Sequence, residues 1–421
     1  MKINDNQFNE LMSVVKRVCS FDSACAPAIE GAPFGKNIND CLLDFLALGK
    51  EYGFETENVD GYAGEIIFKG TSENLSLGIL GHLDIIPADP KEWKHHPFKG
   101  EIEDGFLFAR GTMDDKGPLV ACLYAIKLLK DSGFVPTKTI KIIAGCDEET
   151  GMRGVKYYLT KKEAPTFSFT PDADFPVIHA EKGIMHFEVN CGKLPCCIKD
   201  IYGGVRANVV MDQATAILDD GTKLETFGLA AHAAIAHKGK NASWELLQKL
   251  HEICPDHKGI EFLANSVCDI SGAKWGIDAK DNLSQLTCNL GVLRVVDGNL
   301  IATIDIRFPV SYTLEQMKDI VRAHTPFDVT FGHCDNPLLV DKDSFLVQTL
   351  LSTYNQLTNS NLDALVIGGG TYSKQMPNCV AFGPSFPDEE ETIHMPDERV
   401  NLNNLRKFTE IYMEAIKRLA E

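Results

Sequence analysis

The chain has 421 residues, of which 44% are hydrophobic, so it is long enough for two or three folded domains and is not expected to be disordered. Its 59 acidic residues outnumber its 41 basic residues, and the formal net charge of -18 argues against nucleic acid and membranes as partners. The first helical pattern is amphipathic, so we expect no signal peptide and no membrane span. The 13 cysteines form no C-x-x-C pair, and reduced thiols in a cytoplasmic protein fit this pattern.

In the first half of the chain, segments with helical periodicity alternate with short apolar segments typical of strands. The helical segments are 5–18, 37–52 and 119–130, and the strand segments are 66–69, 75–80 and 139–146. Strands that are separated by a crossover helix build a mainly parallel sheet. This half of the chain therefore predicts an α/β domain with a mainly parallel, mixed sheet and flanking helices.

The pattern changes between residues 186 and 310. Apolar and polar residues alternate at 187–191 and at 304–308, with one helical segment at 243–253 between them. We therefore predict an inserted α+β domain at 186–310 with a small sheet of its own. Helical and strand patterns resume afterwards, at 314–323, 344–356, 364–367 and 405–419, so residues 1–185 and 311–421 should form one domain.

Polar residues follow the predicted strands at the positions where open α/β sheets bind ligands. The strand at 75–80 is followed by Gly-His-Leu-Asp at 81–84, and the strand at 139–146 by Asp-Glu-Glu at 147–149. Three adjacent carboxylates repel one another unless solvent or a cation separates them. A polar turn, Gly-Thr-Met-Asp-Asp-Lys-Gly at 111–117, precedes a helix and has more charged residues than an N-cap requires.

Two later segments add further candidate ligands. Asp172 lies in Pro-Asp-Ala-Asp-Phe-Pro at 171–176, and His394 lies in Ile-His-Met-Pro-Asp-Glu at 393–398. Imidazole and carboxylate ligands without a thiolate suit zinc, manganese or cobalt in an open, catalytic site. Two histidines and three or more carboxylates exceed the needs of one tetrahedral zinc ion, whereas two metals that share a carboxylate would use them all.

In this order, the motifs resemble the dinuclear zinc metallopeptidases that include glutamate carboxypeptidases, aminoacylases and carnosinases, and most closely their PepV-like dipeptidase branch. The resemblance covers nearly the whole chain. It implies two zinc ions, with manganese or cobalt as possible substitutes, and Asp114 as the ligand that bridges them. His82 and Asp172 would complete one site, and Glu149 and His394 would complete the other.

The resemblance also implies roles for residues beside the ligands. Glu148 would be the general base that takes a proton from a metal-activated water and passes it to the leaving amine. Asp84 would hydrogen-bond His82 and orient it, and the peptide bond between Asp114 and Asp115 would be cis. The inserted domain would serve as a lid or as a dimerisation domain, so the protein would be a monomer or a homodimer.

Substrate-binding residues follow from the same resemblance. His232 would stabilise the tetrahedral oxyanion, although a structural role at the entry to a helix also fits. Arg307 would hold the C-terminal carboxylate of the substrate. Asn208 would contact substrate, although an asparagine in a turn fits there too. The glycine-rich segment would offer N–H donors to a carboxylate from Gly369, Gly370 and Thr371.

The residues predict metal-dependent hydrolysis of dipeptides or very short peptides. An N-acyl amino acid amidohydrolase or a carboxypeptidase would use the same metals and base, and a homologue that binds peptides without cleaving them is a third alternative. Three positions depart from the family pattern, namely Ala234 in place of Ser, Ala236 in place of Pro and Lys374 in place of Arg. These departures leave the substrate preference open. Histidines without motif support, such as His95, are assigned to the surface or to packing.

Overall fold

The computed structural model describes residues 2–72 and 74–421, and the chain divides into two compact units. Unit 1 contains the described residues of Met1–His179, Val340–Leu365 and Thr371–Glu421. Unit 2 contains Ala180–Leu339 and Val366–Gly370, so it includes the segment 186–310 together with flanking residues on both sides.

The α-helices are α1 (Asp5–Cys19), α2 (Lys36–Glu51), α3 (Lys116–Asp131), α4 (Arg153–Lys161), α5 (Ala242–Ile253), α6 (Lys258–Phe262), α7 (Leu314–His324), α8 (Phe345–Thr358) and α9 (Leu402–Ala420). The first ten strands are β1 (Glu55–Val59), β2 (Ala63–Phe68), β3 (Ser76–His82), β4 (Glu101–Glu103), β5 (Phe106–Phe108), β6 (Thr139–Gly145), β7 (Phe167–Thr170), β8 (Ala173–Asp174), β9 (Ile178–Glu181) and β10 (Gly183–Lys193). The others are β11 (Ile198–Gly203), β12 (Gln213–Leu218), β13 (Lys223–Phe227), β14 (Thr287–Val296), β15 (Asn299–Phe308), β16 (Asp328–Asp335), β17 (Leu338–Leu339), β18 (Leu365–Ile367), β19 (Cys379–Ala381), β20 (Pro384–Ser385) and β21 (Arg399–Asn401).

The main sheet of unit 1 has a parallel centre and antiparallel flanks. Its strands follow the order β1-β2-β6-β3-β7-β19-β9. Strands β6, β3, β7 and β19 are parallel neighbours, whereas β1, β2 and β9 pair with antiparallel partners. The apolar strand β3 is buried along almost its whole length because it lies inside this sheet. The carboxyl ends of the central strands therefore lie along one edge.

Helices α3 and α9 form the centre of the helical layer in unit 1. Thirteen of the 16 residues of α3 are buried, because this helix packs against α1, α9 and the sheet. Helix α9 is amphipathic, and its apolar residues at helical spacing are buried against α3 and α8. The helix α1 begins with a capping box in which Asn4 and Gln7 bond each other's backbone N–H.

A small antiparallel sheet in unit 1 has the strand order β21-β5-β4. Its register pairs Arg399 with Phe108 and Asn401 with Phe106. Because the pairing is antiparallel, the residues that follow β5 lie beside the residues that precede β21. The sheet thereby brings the loop at 109–115 next to the turn at 394–398.

Unit 2 contains an antiparallel sheet with the strand order β13-β12-β11-β14-β15-β10-β16. The alternating residues Phe187, Val189, Ile304 and Ile306 are buried in its core, which helix α5 also helps to form. The predicted fold class, an α/β domain with an inserted α+β domain, is confirmed.

Two cysteines that are distant in sequence lie next to each other in unit 2. They are Cys197, just before β11, and Cys254, just after α5. The two residues are separated by 57 positions in sequence, so no local motif predicted that the fold brings them together. The other 11 cysteines are free thiols, most of them buried. Among the described residues, no helix combines the length and the apolar character that crossing a bilayer requires.

Candidate metal centre

The predicted ligands come from two sets of loops in unit 1. His82 is the last residue of β3, Glu149 lies in the loop after β6, and Asp172 lies in the loop after β7. These three strands are parallel neighbours, so their carboxyl ends place the three side chains at one edge of the sheet. Asp114 precedes α3 and His394 precedes β21, in the two segments that the small sheet brings together.

The five side chains form two groups that share Asp114. One group consists of His82, Asp114 and Asp172, and the other of Asp114, Glu149 and His394. His82 Nε2 lies 2.9 Å from Asp114 Oδ1 and 3.5 Å from Asp172 Oδ2. His394 Nε2 lies 2.8 Å from Asp114 Oδ2 and 3.1 Å from Glu149 Oε1. Each oxygen of Asp114 therefore faces a different imidazole.

These separations fit a pair of metal ions. Tetrahedral ligands about 2.0 Å from a zinc ion lie about 3.3 Å from one another. The nitrogen–oxygen distances in the two groups range from 2.8 to 3.5 Å, close to this value. A carboxylate with one oxygen in each group has the arrangement that a bridging ligand needs.

In the metal-free protein, the two imidazoles supply the positive charge that the carboxylates need. Hydrogen bonds to Asp114 and Glu149 raise the pKa of His394 to about 10. Burial alone would lower the pKa of His82, but the carboxylates of Asp114 and Asp172 outweigh it and raise that pKa well above its usual value. Burial would raise the pKa of Asp114, yet His394 and His82 hold it below its usual range. A divalent cation could take the place of these protons.

The loop after β6 separates its three consecutive carboxylates. Asp147 accepts hydrogen bonds from Arg153 Nε and Nη2, both at 2.6 Å, and is thereby neutralised. The carboxylate of Asp84 accepts the backbone N–H groups of Glu148 and Glu149, each at 3.0 Å. Asp84 thus fixes the backbone of this loop.

Glu148 lies beside the ligands without belonging to either group. Burial raises its pKa well above the usual value, and the negative charges of Asp172 and Asp114 raise it further, although His82 opposes them. A carboxylate with a raised pKa accepts a proton more readily than an exposed carboxylate does, as a general base requires.

Asp84 contacts His82 through its backbone as well as through its side chain. His82 Nδ1 donates to the carbonyl oxygen of Asp84 at 3.0 Å, and Asp84 Oδ1 is more distant, at 3.6 Å. This bond leaves Nε2 of His82 facing Asp114 and Asp172, as a metal-binding imidazole requires.

Asp115 has a role that the sequence interpretation did not assign. It stands at the N-cap position of α3, but its side chain makes no capping bond. Instead, Asp115 Oδ2 accepts the backbone N–H of His82 at 3.0 Å, and a Cβ atom at position 81 would collide with this oxygen. Gly81 therefore allows Asp115 to hold the end of β3. The peptide bond between Asp114 and Asp115 is cis, as expected.

The predicted substrate-binding residues, apart from Thr371, lie in unit 2. His232 is exposed and precedes the 3₁₀ helix Ala233–Lys238, and its Nδ1 accepts the N–H of Ala234 at 3.2 Å. A neutral imidazole that accepts at Nδ1 carries its proton on Nε2. The backbone carbonyl of Asn208 accepts the N–H of Ala233 at 2.9 Å, so Asn208 is joined to the same turn.

Arg307 lies on β15 and is held by Asp305. Its Nε and Nη2 donate to the two carboxylate oxygens at 2.7 and 2.8 Å, and its Nη1 donates to the carbonyl of Gly368 at 3.1 Å. The edge of the guanidinium that carries Nε and Nη2 is thus turned toward Asp305 and not toward a substrate carboxylate. Gly368 lies so close to Ala234 that an added Cβ would be 3.1 Å from the Cβ of that residue. Gly368 therefore connects Arg307 to the turn that contains His232. Gly369 and Gly370 are the next two residues in the chain.

Thr371 belongs to unit 1 and is buried. Its Oγ1 accepts the N–H of Ser373 at 3.2 Å, so it caps the 3₁₀ helix Tyr372–Gln375. This contact gives Thr371 a structural role at the end of the glycine-rich segment.

Comparisons with known proteins agree with the motifs and the fold. The model of the Peptidase family M20/M25/M40 matches residues 78–418. The chain is 34% identical to a Bacillus subtilis (strain 168) protein named "Putative dipeptidase YtjP", over 93% of this chain and 92% of that protein. It is 32% identical to "Putative dipeptidase SAUSA300_1697" of Staphylococcus aureus (strain USA300), over 93% of this chain and 92% of that protein.

Two solved structures share the fold. Aminoacylhistidine dipeptidase from Vibrio alginolyticus has a TM-score of 0.64 at 13% identity and covers 100% of this chain and 97% of its own. Human carnosine dipeptidase 1 has a TM-score of 0.61 at 13% identity and covers 99% of this chain and 97% of its own. The resemblance inferred from the motifs is confirmed, and the chain belongs to the Peptidase family M20/M25/M40 of metal-dependent peptide hydrolases.

Proposed function

We propose that the protein hydrolyses dipeptides and very short peptides with two bound zinc ions, which manganese or cobalt could replace. The observation that carries the proposal is the geometry of Asp114, whose two oxygens lie 2.9 and 2.8 Å from the Nε2 atoms of His82 and His394. Asp172 and Glu149 complete the two ligand groups. The names of the dipeptidase relatives support the choice of substrate.

The chemistry divides between the metals and Glu148. Two divalent ions, when bound, would supply Lewis acidity to water and to the peptide carbonyl. Glu148 accepts a proton from the attacking water and donates it to the leaving amine, a role that suits its raised pKa. Asp84 fixes the backbone of Glu148 and orients His82, and Asp115 holds the backbone of His82.

We assign substrate recognition to unit 2 together with Thr371. His232 would donate from Nε2 to the developing oxyanion, which its accepting Nδ1 favours. Arg307 would bind the C-terminal carboxylate of the substrate through the N–H groups that Asp305 and Gly368 do not use. Asn208 would also contact substrate, and Gly369, Gly370 and Thr371 would offer N–H donors to a carboxylate.

We also propose a cytoplasmic location, which the many free thiols support.

The test is a hydrolysis panel with zinc-, manganese- and cobalt-loaded protein. Free dipeptides should be cleaved faster than tripeptides, N-acetyl amino acids and longer peptides. Faster cleavage of N-acetyl amino acids would replace the proposal by an amidohydrolase, and faster removal of C-terminal residues from long peptides would replace it by a carboxypeptidase. Tight binding without turnover would indicate a non-catalytic homologue.

The general base is tested with Glu148→Ala. We expect kcat to fall by about 10²- to 10⁴-fold, as for other general bases. The control is Glu163→Ala, which removes an exposed carboxylate of unit 1 after helix α4 and should leave kcat unchanged. A loss of less than about tenfold in Glu148→Ala, a change of ~1.4 kcal/mol in the barrier, would exclude Glu148 as the base.

A further inference from the structure

Glu398 is a fully buried carboxylate in the turn that carries His394, yet it is bonded to the loop that carries Asp114. Its side chain is 0% exposed. Glu398 Oε1 accepts the backbone N–H groups of Met113 at 2.9 Å, Gly111 at 3.1 Å and Asp114 at 3.3 Å. A single carboxylate therefore satisfies three backbone donors, the last of which belongs to the shared ligand itself.

Arg110 makes the reciprocal connection from the Asp114 loop to the His394 turn. Its Nη1 donates to Glu398 Oε2 at 2.6 Å, and its Nη2 donates to the carbonyl oxygen of Met395 at 3.3 Å. The backbone joins the same two segments, because the N–H of Ala109 donates to the carbonyl of Glu398 at 3.2 Å. The Asp114 loop and the His394 turn are thus joined by the side chains of Arg110 and Glu398 and also by a backbone hydrogen bond.

The His394 turn needs such contacts to keep its shape. His394 and Asp397 have φ angles of 63° and 56°, in the left-handed region that non-glycine residues seldom occupy. Such a backbone persists where the surrounding structure fixes it. Asp397 is held by the backbone N–H groups of His95 and Lys94, at 2.9 and 3.3 Å, and the next residue is Glu398.

We propose that Glu398, paired with Arg110, is a positioning residue that sets the separation of Asp114 and His394 before any metal binds. The inference rests on the proposed two-metal function, since these two side chains belong to the same ligand group. Glu398 acts through Asp114 and His394, not on the substrate. Its loss should therefore weaken metal binding before it affects any later step.

A merely structural ion pair would behave differently. Such a pair contributes to the stability of unit 1, and its removal lowers stability without a particular effect on the metal site. Glu65 provides that comparison, because it is also buried, accepts a hydrogen bond from Tyr158 and lies near Lys141 and Lys162. It belongs to strand β2 and has no bond to either ligand loop.

The experiment compares Glu398→Gln, Arg110→Gln/Glu398→Gln and Glu65→Gln with the wild type. An amide is a weaker acceptor than a carboxylate, so both variants at position 398 should loosen the Asp114 loop. The double variant removes both buried charges, and so it guards against unfolding caused by an unpaired Arg110. Zinc alone is titrated into metal-free protein by calorimetry, and amide exchange is measured at Gly111, Met113 and Asp114.

We expect both variants at position 398 to bind zinc about 10- to 100-fold more weakly than the wild type, as for other residues that support metal ligands. Exchange at the three amides should be faster in both, and activity lost at limiting zinc should return at saturating zinc. Glu65→Gln should change the stability of the protein. Its zinc affinity and its exchange rates at the three amides should match those of the wild type.

A folded double variant with wild-type zinc affinity and wild-type exchange at the three amides would overturn the proposal. The proposal would also be overturned if Glu65→Gln lost as much zinc affinity as the variants at position 398. Removing any buried carboxylate of unit 1 would then weaken zinc binding. If the wild type itself bound fewer than two zinc ions, the proposed function would fail instead. The exchange measurement on metal-free protein would still decide whether Glu398 positions the loop.

Discussion

Zinc binding should release protons, because the metal-free centre holds its two imidazoles in the protonated form. The pKa of His394 is about 10, and the carboxylates around His82 raise its pKa well above the usual value. A zinc ligand must be a neutral imidazole, so each binding event displaces one of these protons. Loading the protein with two zinc ions should release at least the proton of His394 near pH 7, and the raised pKa of His82 favours release of a second proton. Glu148, with its raised pKa, can only add to this number.

The number of displaced protons determines how zinc affinity changes with pH. Metal affinity rises with pH while the imidazoles remain protonated in the metal-free protein. Each displaced proton changes the binding free energy by about 1.4 kcal/mol per pH unit. The association constant of the site that contains His394 should therefore rise about tenfold between pH 7 and pH 8.

The assay is calorimetric titration of metal-free protein with zinc in buffers of different ionisation enthalpy. The dependence of the measured heat on the buffer gives the number of protons released. His394→Gln should release about one proton fewer, whereas His324→Gln, which removes an exposed histidine of unit 2, should match the wild type. Release of fewer than one proton, together with an affinity independent of pH, would refute the assigned protonation states.

Three further predictions concern stability and substrate binding. Zinc at 100 times its dissociation constant should stabilise the fold by about 2.7 kcal/mol for each site that it fills, and calorimetric unfolding that is the same with zinc and with a chelator would contradict a metal site. Leu123→Ala in α3, where the side chain is 0% exposed, should lower the free energy of unfolding by about 2.7 to 5.0 kcal/mol in urea denaturation; a loss below about 1 kcal/mol would contradict this packing. Arg307→Met should raise KM for free dipeptides but not for dipeptide amides, and equal effects on both would exclude a contact with the substrate carboxylate.

The sequence was informative where a ligand follows a long, regular element. Strands β3 and β6 have apolar patterns long enough to recognise, and the order of strand, helix and strand predicted that their carboxyl ends meet. His82 and Glu149 could therefore be placed at one edge of a sheet from pattern alone. The assignment of Asp114 as the shared ligand needed the family resemblance, because nothing in its local sequence distinguishes it from Asp115.

Other contacts could not be predicted because the elements that make them are short or distant in sequence. Strands β5 and β21 have three residues each, too few for a periodic signal, and 288 positions separate Arg110 from Glu398. The pairing of Arg307 with Asp305 was within reach, since residues two apart on a strand share a face. The substrate role predicted for Arg307 did not include this partner.

The charges of the metal centre explain why its supporting residues matter. Asp147 is neutralised by Arg153, and Glu398 by Arg110, so these acidic residues stabilise the loops without adding to the negative charge at the ligands. Asp114, Glu149 and Asp172 have no such partner among the lysines and arginines of the described residues, and only the two imidazoles face them. Arginines thus neutralise Asp147 and Glu398, whereas the ligand carboxylates face only the two imidazoles. A pair of divalent cations would supply the missing charge, and the loops that Glu398 and Asp84 fix would keep the ligands ready to bind them.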